Sequence, residues 1–96
     1  MRIGRVLNSI WATRKADSLI GTKLMIVQLL DRPHGELGPI IVAADIIGAG
    51  IGEKVLVTEG SSARNMDNFN DSPIDSTIVG IIDEEKDKLA EVSKHA

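Results

Sequence analysis

Gly48-Ala49-Gly50-Ile51-Gly52-Glu53-Lys54-Val55-Leu56-Val57-Thr58-Glu59-Gly60-Ser61-Ser62-Ala63-Arg64 sets three glycines on alternate positions, then an apolar run, then a Gly-Ser-Ser-Ala-Arg corner. Glycine enters φ > 0 without a Cβ penalty and lets another backbone come close, so this spacing predicts a tight and specific chain path. The run Lys54 to Glu59 is short and valine-rich, which fits a strand better than a helix. That order of elements excludes two phosphate sites. A dinucleotide-binding turn reads G-x-G-x-x-G and opens a helix, and a Walker A loop needs Gly-Lys-Ser/Thr after a four-residue gap. A glycine-rich turn between two strands accounts for the stretch more simply.

Outward from this stretch, the 96-residue chain has room for one small domain with a modest core. Hydrophobic residues make up 43% but aromatic residues only 2%, so the core must be built from Ile, Leu, Val and Ala. Few large rings remain for ligand stacking. A domain this small and this aliphatic is expected to bury some of its apolar surface between subunits. The net charge of -3 argues against a nucleic-acid surface. With no cysteine there are neither disulfides nor thiolate metal sites. No apolar run approaches a membrane span, and Met1-Arg2-Ile3-Gly4-Arg5 is not followed by a signal-peptide core. The expectation is a soluble cytosolic protein.

Arg2 to Thr13 reads as a first strand, with Ile3, Arg5, Leu7, Ser9 and Trp11 on one parity and Val6 and Ile10 on the other. Gly4 and Asn8 would accommodate a bulge. After a polar connection from Arg14 to Ser18, Lys23 to Leu30 is a second strand that is apolar on both faces. Either both faces are covered or one meets a neighbouring subunit. Asp31 to Gly38 is a loop, and Pro39 to Asp45 a third strand with proline at its permitted first position. Lys54 to Glu59 is the fourth. Ser61 and Ser62 offer caps for one short helix through Ala63, Arg64 and Asn65, before the turn-forming run Met66 to Pro73. Asp75 to Asp83 holds the fifth strand, and the charged residues 84–96 read as a marginal helix or frayed tail. The fold class expected is mostly β: a small five-stranded OB-like β-barrel over residues 1–83, with one short helix and the tail 84–96 outside it. A sandwich is the alternative.

The chemistry-bearing residues form no catalytic constellation. His34 and His95 lack metal-ligand spacing, and His34 is expected to be an exposed loop histidine. Ser61 and Ser62 lie outside any G-x-S-x-G elbow and have no histidine base placed beside them by sequence. Asp45, Glu53, Asp75 and Asp83 stand at strand ends, where a solvated or salt-bridged carboxylate is the default. No catalytic residue, cofactor or metal is expected. A competing reading, a small OB-like module for single-stranded nucleic acid or an anionic ligand, would need a basic groove and stacking rings. The chain supplies Trp11, Phe69 and an acidic background, and the Arg14-Lys15 pair is explained as a solvated turn.

The segment Asp45-Ile46-Ile47-Gly48-Ala49-Gly50-Ile51-Gly52-Glu53-Lys54-Val55-Leu56-Val57, closed by Gly60-Ser61-Ser62-Ala63-Arg64, closely resembles the signature of the EutN/CcmL family, the pentameric vertex proteins of bacterial microcompartment shells. Matching residues include Thr13, Lys15, Leu19, Gly21, Lys23, Leu24, Val27 and Gln28, then Pro73, Asp75, Ile78 to Ile81 and Asp83, in matching order from about Arg5 to Asp83. The resemblance implies a structural protein without enzymatic activity, located in the shell within the bacterial cytoplasm. It also implies an OB-like barrel that forms a homopentamer, with a narrow central opening, and partners hexameric shell proteins; neither nucleic acid nor membrane is a partner. A ring needs a heterologous interface. The residues expected at the subunit contact or central opening are Asp45, Gly48, Ala49, Gly50, Ile51, Gly52, Glu53, Gly60, Ser61, Ser62 and Arg64. The alternate glycines would let backbones approach near the symmetry axis, part of the first loop would lie near the opening, and Arg64 would donate to the next subunit.

Overall fold

The computed structural model describes residues 1–11, 15–60 and 74–83. Five strands, β1 (Arg2–Ile10), β2 (Leu24–Leu29), β3 (Ile40–Asp45), β4 (Lys54–Glu59) and β5 (Ser76–Ile81), close into a barrel in the order β1-β2-β3-β5-β4. Every contact around the barrel is antiparallel except β3 with β5, which is parallel. This is the five-stranded OB-like arrangement the turn spacing predicts, and not a sandwich. The expected short helix at Ala63–Asn65, the turn-forming run Met66–Pro73 and the tail 84–96 lie outside the described residues, as does Thr13.

The first strand is shorter than its apolar pattern suggests, ending at Ile10 and leaving Trp11 in solvent. Its irregularity falls between Val6 and Asn8. Asn8 therefore flanks a bulge as expected, whereas Gly4 pairs regularly with Leu29 and Val55. The inward parity is that of Val6: with Met25, Val27, Ala43, Ala49, Val55, Val57 and Ile78 it forms the barrel core. β-branched side chains alternating in and out fit the narrow interior of a small barrel, where little but aliphatic volume has room. In β2, Met25, Val27 and Leu29 point inward while Leu24, Ile26 and Gln28 are half-buried on the outside. A second apolar cluster, Ala44 and Ile74 with Leu19, Leu24 and Ile46, lies outside the main core at the end of the barrel where β2 starts and β3 ends.

Two short 3₁₀ turns, Asp17–Leu19 and Pro33–Gly35, occupy connections read from sequence as plain loops. His34 is exposed, in the left-handed region at φ 60°. Between β2 and β3, Asp31 reaches back to β1. Its Oδ2 accepts from Arg2 Nε at 2.7 Å and from the Ile3 amide at 3.2 Å, and its Oδ1 accepts from Arg2 Nη2 at 3.0 Å. The guanidinium pulls the Asp31 carboxyl down to about 2.

Candidate functional site

The loop joining β3 to β4 is built by two carboxylates that bracket it. Asp45 ends β3 with its side chain wholly buried, at 0% exposure. Its Oδ1 accepts from the amides of Ile47 and Gly48, each at 3.0 Å, and its Oδ2 from that of Ala49 at 2.8 Å. Lys23, at the foot of β2, sets its Nζ 3.5 Å from Asp45 Oδ2 and donates to the Ala49 carbonyl at 3.4 Å. A buried carboxylate is tolerable only when hydrogen bonds and a counter-charge replace its water, and here both are present. Of the two states expected at a strand end, solvated or salt-bridged, Asp45 takes the salt-bridged one. The loop's own amides have displaced the water.

Glu53 closes the other end. Its Oε1 accepts from the Gly50 amide at 2.6 Å, and its own amide donates to the Gly50 carbonyl at 3.2 Å. The loop is then stitched to β1 beside the bulge: the Gly52 amide donates to Val6 O at 2.8 Å, the Val6 amide to Glu53 O at 3.0 Å, and Arg5 Nη1 to Gly52 O at 2.8 Å. Gly48 and Gly52 take φ +79° and +87°, conformations that an L side chain adopts only with strain. Gly50 is needed for a different reason, since a Cβ there would stand 3.0 Å from Glu53 Oε1. The alternate glycines therefore have reasons within their own chain: two for backbone hand, one for the carboxylate that fastens it.

This framework holds Ile51 outward at the loop tip, 65% exposed, with Ile47 half out of solvent nearby. Asp45 and Ala49 turn their side chains into their own chain, whereas Gly48, Ile51 and Gly52 face outward and Gly50 and Glu53 are half-buried. Gly60 ends β4 at φ +68°, its amide donating to Asp75 O at 2.8 Å. Ser61, Ser62 and Arg64 lie outside the described residues. The organising role of Asp45 was missed from sequence. Its signal was present in an aspartate followed three residues later by glycine, the spacing at which a short carboxylate captures the amides two and three ahead. Among the described residues no three His, Cys, Asp or Glu side chains come together as a metal cluster.

The described residues form a closed barrel whose β3–β4 loop is fastened by its own carboxylates and tipped by Ile51, which places the chain in the class of small OB-like β-barrels. The chain is a member of the EutN/CcmL family: the family model described as "Ethanolamine utilisation protein EutN/carboxysome" matches residues 1–83. It is 43% identical over 83 residues to the carboxysome shell vertex protein CcmL of Synechocystis sp., covering 86% of this chain and 83% of that one. The structure of Nostoc sp. CcmL superposes with a TM-score of 0.78 at 41% identity, covering 86% of this chain and 89% of that one. The GrpN pentameric microcompartment shell protein of Rhodospirillum rubrum superposes with a TM-score of 0.74 at 42% identity, covering 86% and 94%.

Proposed function

We propose that this chain is a structural vertex protein of a bacterial microcompartment shell, without enzymatic activity, working in the bacterial cytoplasm as a homopentamer. The observation that carries this reading is the similarity, along residues 1–83, to vertex proteins and to a pentameric shell protein at 42% identity. Flat sheets of hexameric tiles cannot close into a polyhedron without five-fold positions, so the ring's partners are hexameric shell proteins. The physics of the single chain supports the reading. Ile40, Val42 and Ile51 stand out of a small barrel at 60%, 49% and 65% exposure, apolar surface that a neighbouring copy would cover.

In this proposal residues 1–83 form the shell domain, with the charged tail 84–96 outside it. Subunit contact or the central opening is assigned to the outward parts of the loop from Gly48 to Glu53, with Asp45 holding the loop from inside, and to Gly60, Ser61, Ser62 and Arg64. Arg64 donates to a carboxylate or carbonyl of the next copy. Native mass spectrometry of the purified protein at low concentration and moderate salt tests the reading. A dominant five-subunit species supports it, and a persistent monomer overturns it.

A further inference from the structure

β3 and β5 complete the barrel through Ala44 with Thr77 and Asp45 with Ile78 alone, and the strands part on either side of those pairs. What each strand leaves unpaired follows from its other ladder. Between β2 and β3 the register is unbroken. It runs from the Leu29 amide, which donates to Pro39 O at 3.1 Å, to the Asp45 amide, which donates to Lys23 O at 2.9 Å. Antiparallel bonding uses alternate residues, so Ile41 and Ala43 also turn their amides and carbonyls to β2. Those of Ile40 and Val42 point the other way, into the gap that β5 has not yet reached.

β5 is left open along its later half. The Ile82 amide donates to Lys54 O at 2.8 Å and Leu56 pairs with Gly80, so beyond the register shift Gly80 and Ile82 face β4. The amide and carbonyl of Ile81 therefore face away from β4, on the side β3 has already left. On these open sides the main-chain groups of Ile40, Val42 and Ile81 meet no hydrogen-bond partner among the described residues. Their side chains are exposed as well, at 60%, 49% and 44%. Beside Val42 the parting strands leave a recess of about 690 Å³, with Ile41, Gly60 and Ser76 among its walls.

The two half-edges lie at opposite ends of one seam and face opposite ways around the barrel. An open strand edge takes up another strand through its main chain, and exposed apolar side chains add cross-strand contact. We infer that the Ile40–Val42 edge of one copy pairs with the Ile81 edge of the next, so that a sheet runs across each subunit boundary. The inference rests on the ring reading, which also selects the partner. A ring with an odd number of equivalent copies cannot be joined by two-fold contacts, so unlike edges must meet. Each pairing is short, and closure of the ring, which gives every copy one on each side, makes it hold.

The experiment measures residue-resolved amide hydrogen exchange in the full chain, with the five-subunit species identified by native mass spectrometry. Ile41 and Ala43 are the internal reference, since the β2 ladder protects their amides in any state. The expected result is exchange at Ile40, Val42 and Ile81 within about 100-fold of that reference. In parallel, Val42→Cys and Ile81→Cys are introduced singly and together into a sequence that has no cysteine of its own. The chains are checked by circular dichroism, oxidised gently and run on a non-reducing gel. The double variant alone is expected to give a ladder of covalent oligomers up to five chains. A five-subunit parent whose three amides exchange faster than that limit overturns the inference while leaving the ring intact. So does a folded double-cysteine ring without a ladder, or a covalent dimer from Val42→Cys alone, the mark of like edges meeting. A parent that stays monomeric at every concentration overturns the ring reading itself.

Discussion

Two connections of comparable length leave neighbouring strands, Asp45 closing β3 ahead of one and Asp31 standing two residues past β2 in the other, and the two carboxylates do opposite things. Asp45 turns inward and holds three amides of its own loop. Asp31 turns across the surface and holds β1 through Arg2 and the Ile3 amide. After Asp45, the amides of Ile47, Gly48, Ala49, Gly50, Gly52 and Glu53 all have partners, within the loop or on β1. After Asp31, the backbone turns at Pro33–Gly35 with residues 31–37 exposed, and it rejoins the sheet through the Gly38 amide to Leu29 O at 2.8 Å. A carboxylate without water shapes the segment around it; one that keeps its water joins segments already shaped.

The comparison predicts a graded series. Asp45→Ala has the largest effect, because it orphans three amides and removes the counter-charge of Lys23 together; a loss of about 3 kcal/mol in urea unfolding is expected. A loss under 1 kcal/mol would mean the loop holds its shape without the carboxylate. Gly52→Ala comes next. Nothing crowds the new Cβ, so only the backbone conformation opposes it, at about 1–2 kcal/mol. Gly48→Asn should cost less than Gly48→Ala, since asparagine tolerates the left-handed region, and equal costs would refute the conformational account.

Gly50→Ala is expected to cost less again, about 0.5–1 kcal/mol, through displacement of Glu53 Oε1 by a few tenths of an ångström. Hydrogen exchange at the Gly50 amide should rise in that variant without a matching rise in the strands. Asp31→Asn is the smallest. The folded-state value of Asp31 lies below its ordinary 3.8, at about 2, so its contribution is present in full above pH 3.8 and fades as pH falls toward 2. The difference in unfolding midpoint between parent and Asp31→Asn should shrink across that window and flatten in 1 M salt. A difference that persists at pH 2 would point to something other than the ion pair.

Strand positions were legible where local chemistry is unambiguous. Lys54–Glu59 has the bounds read from its flanking glycines, and β3 begins one residue after the proline that announces it. The overshoot at the end of β1 has a physical cause: Trp11 continues the parity of Ile3 and Leu7, which is not the buried one, and alternation alone does not mark where a strand leaves its core. The parallel contact of β3 with β5 was equally invisible, because residues more than thirty apart meet there and no local pattern encodes it. At the glycine loop, glycine spacing correctly signalled a specific path. Which side chains fastened it did not follow, since Asp45 and Glu53 look like ordinary strand-end acids until their amide partners are in place.

Barrel closure bears on how growth stops. Each of the five strands has a partner on both sides, although β3 meets β5 only at Ala44 and Asp45, so no strand presents a free edge along its whole length to template another. Copies that join through side chains fit one relative rotation and reject others. A component that must sit at a corner, where adding one neighbour too many would spoil the angle, is thereby protected from polymerising without limit.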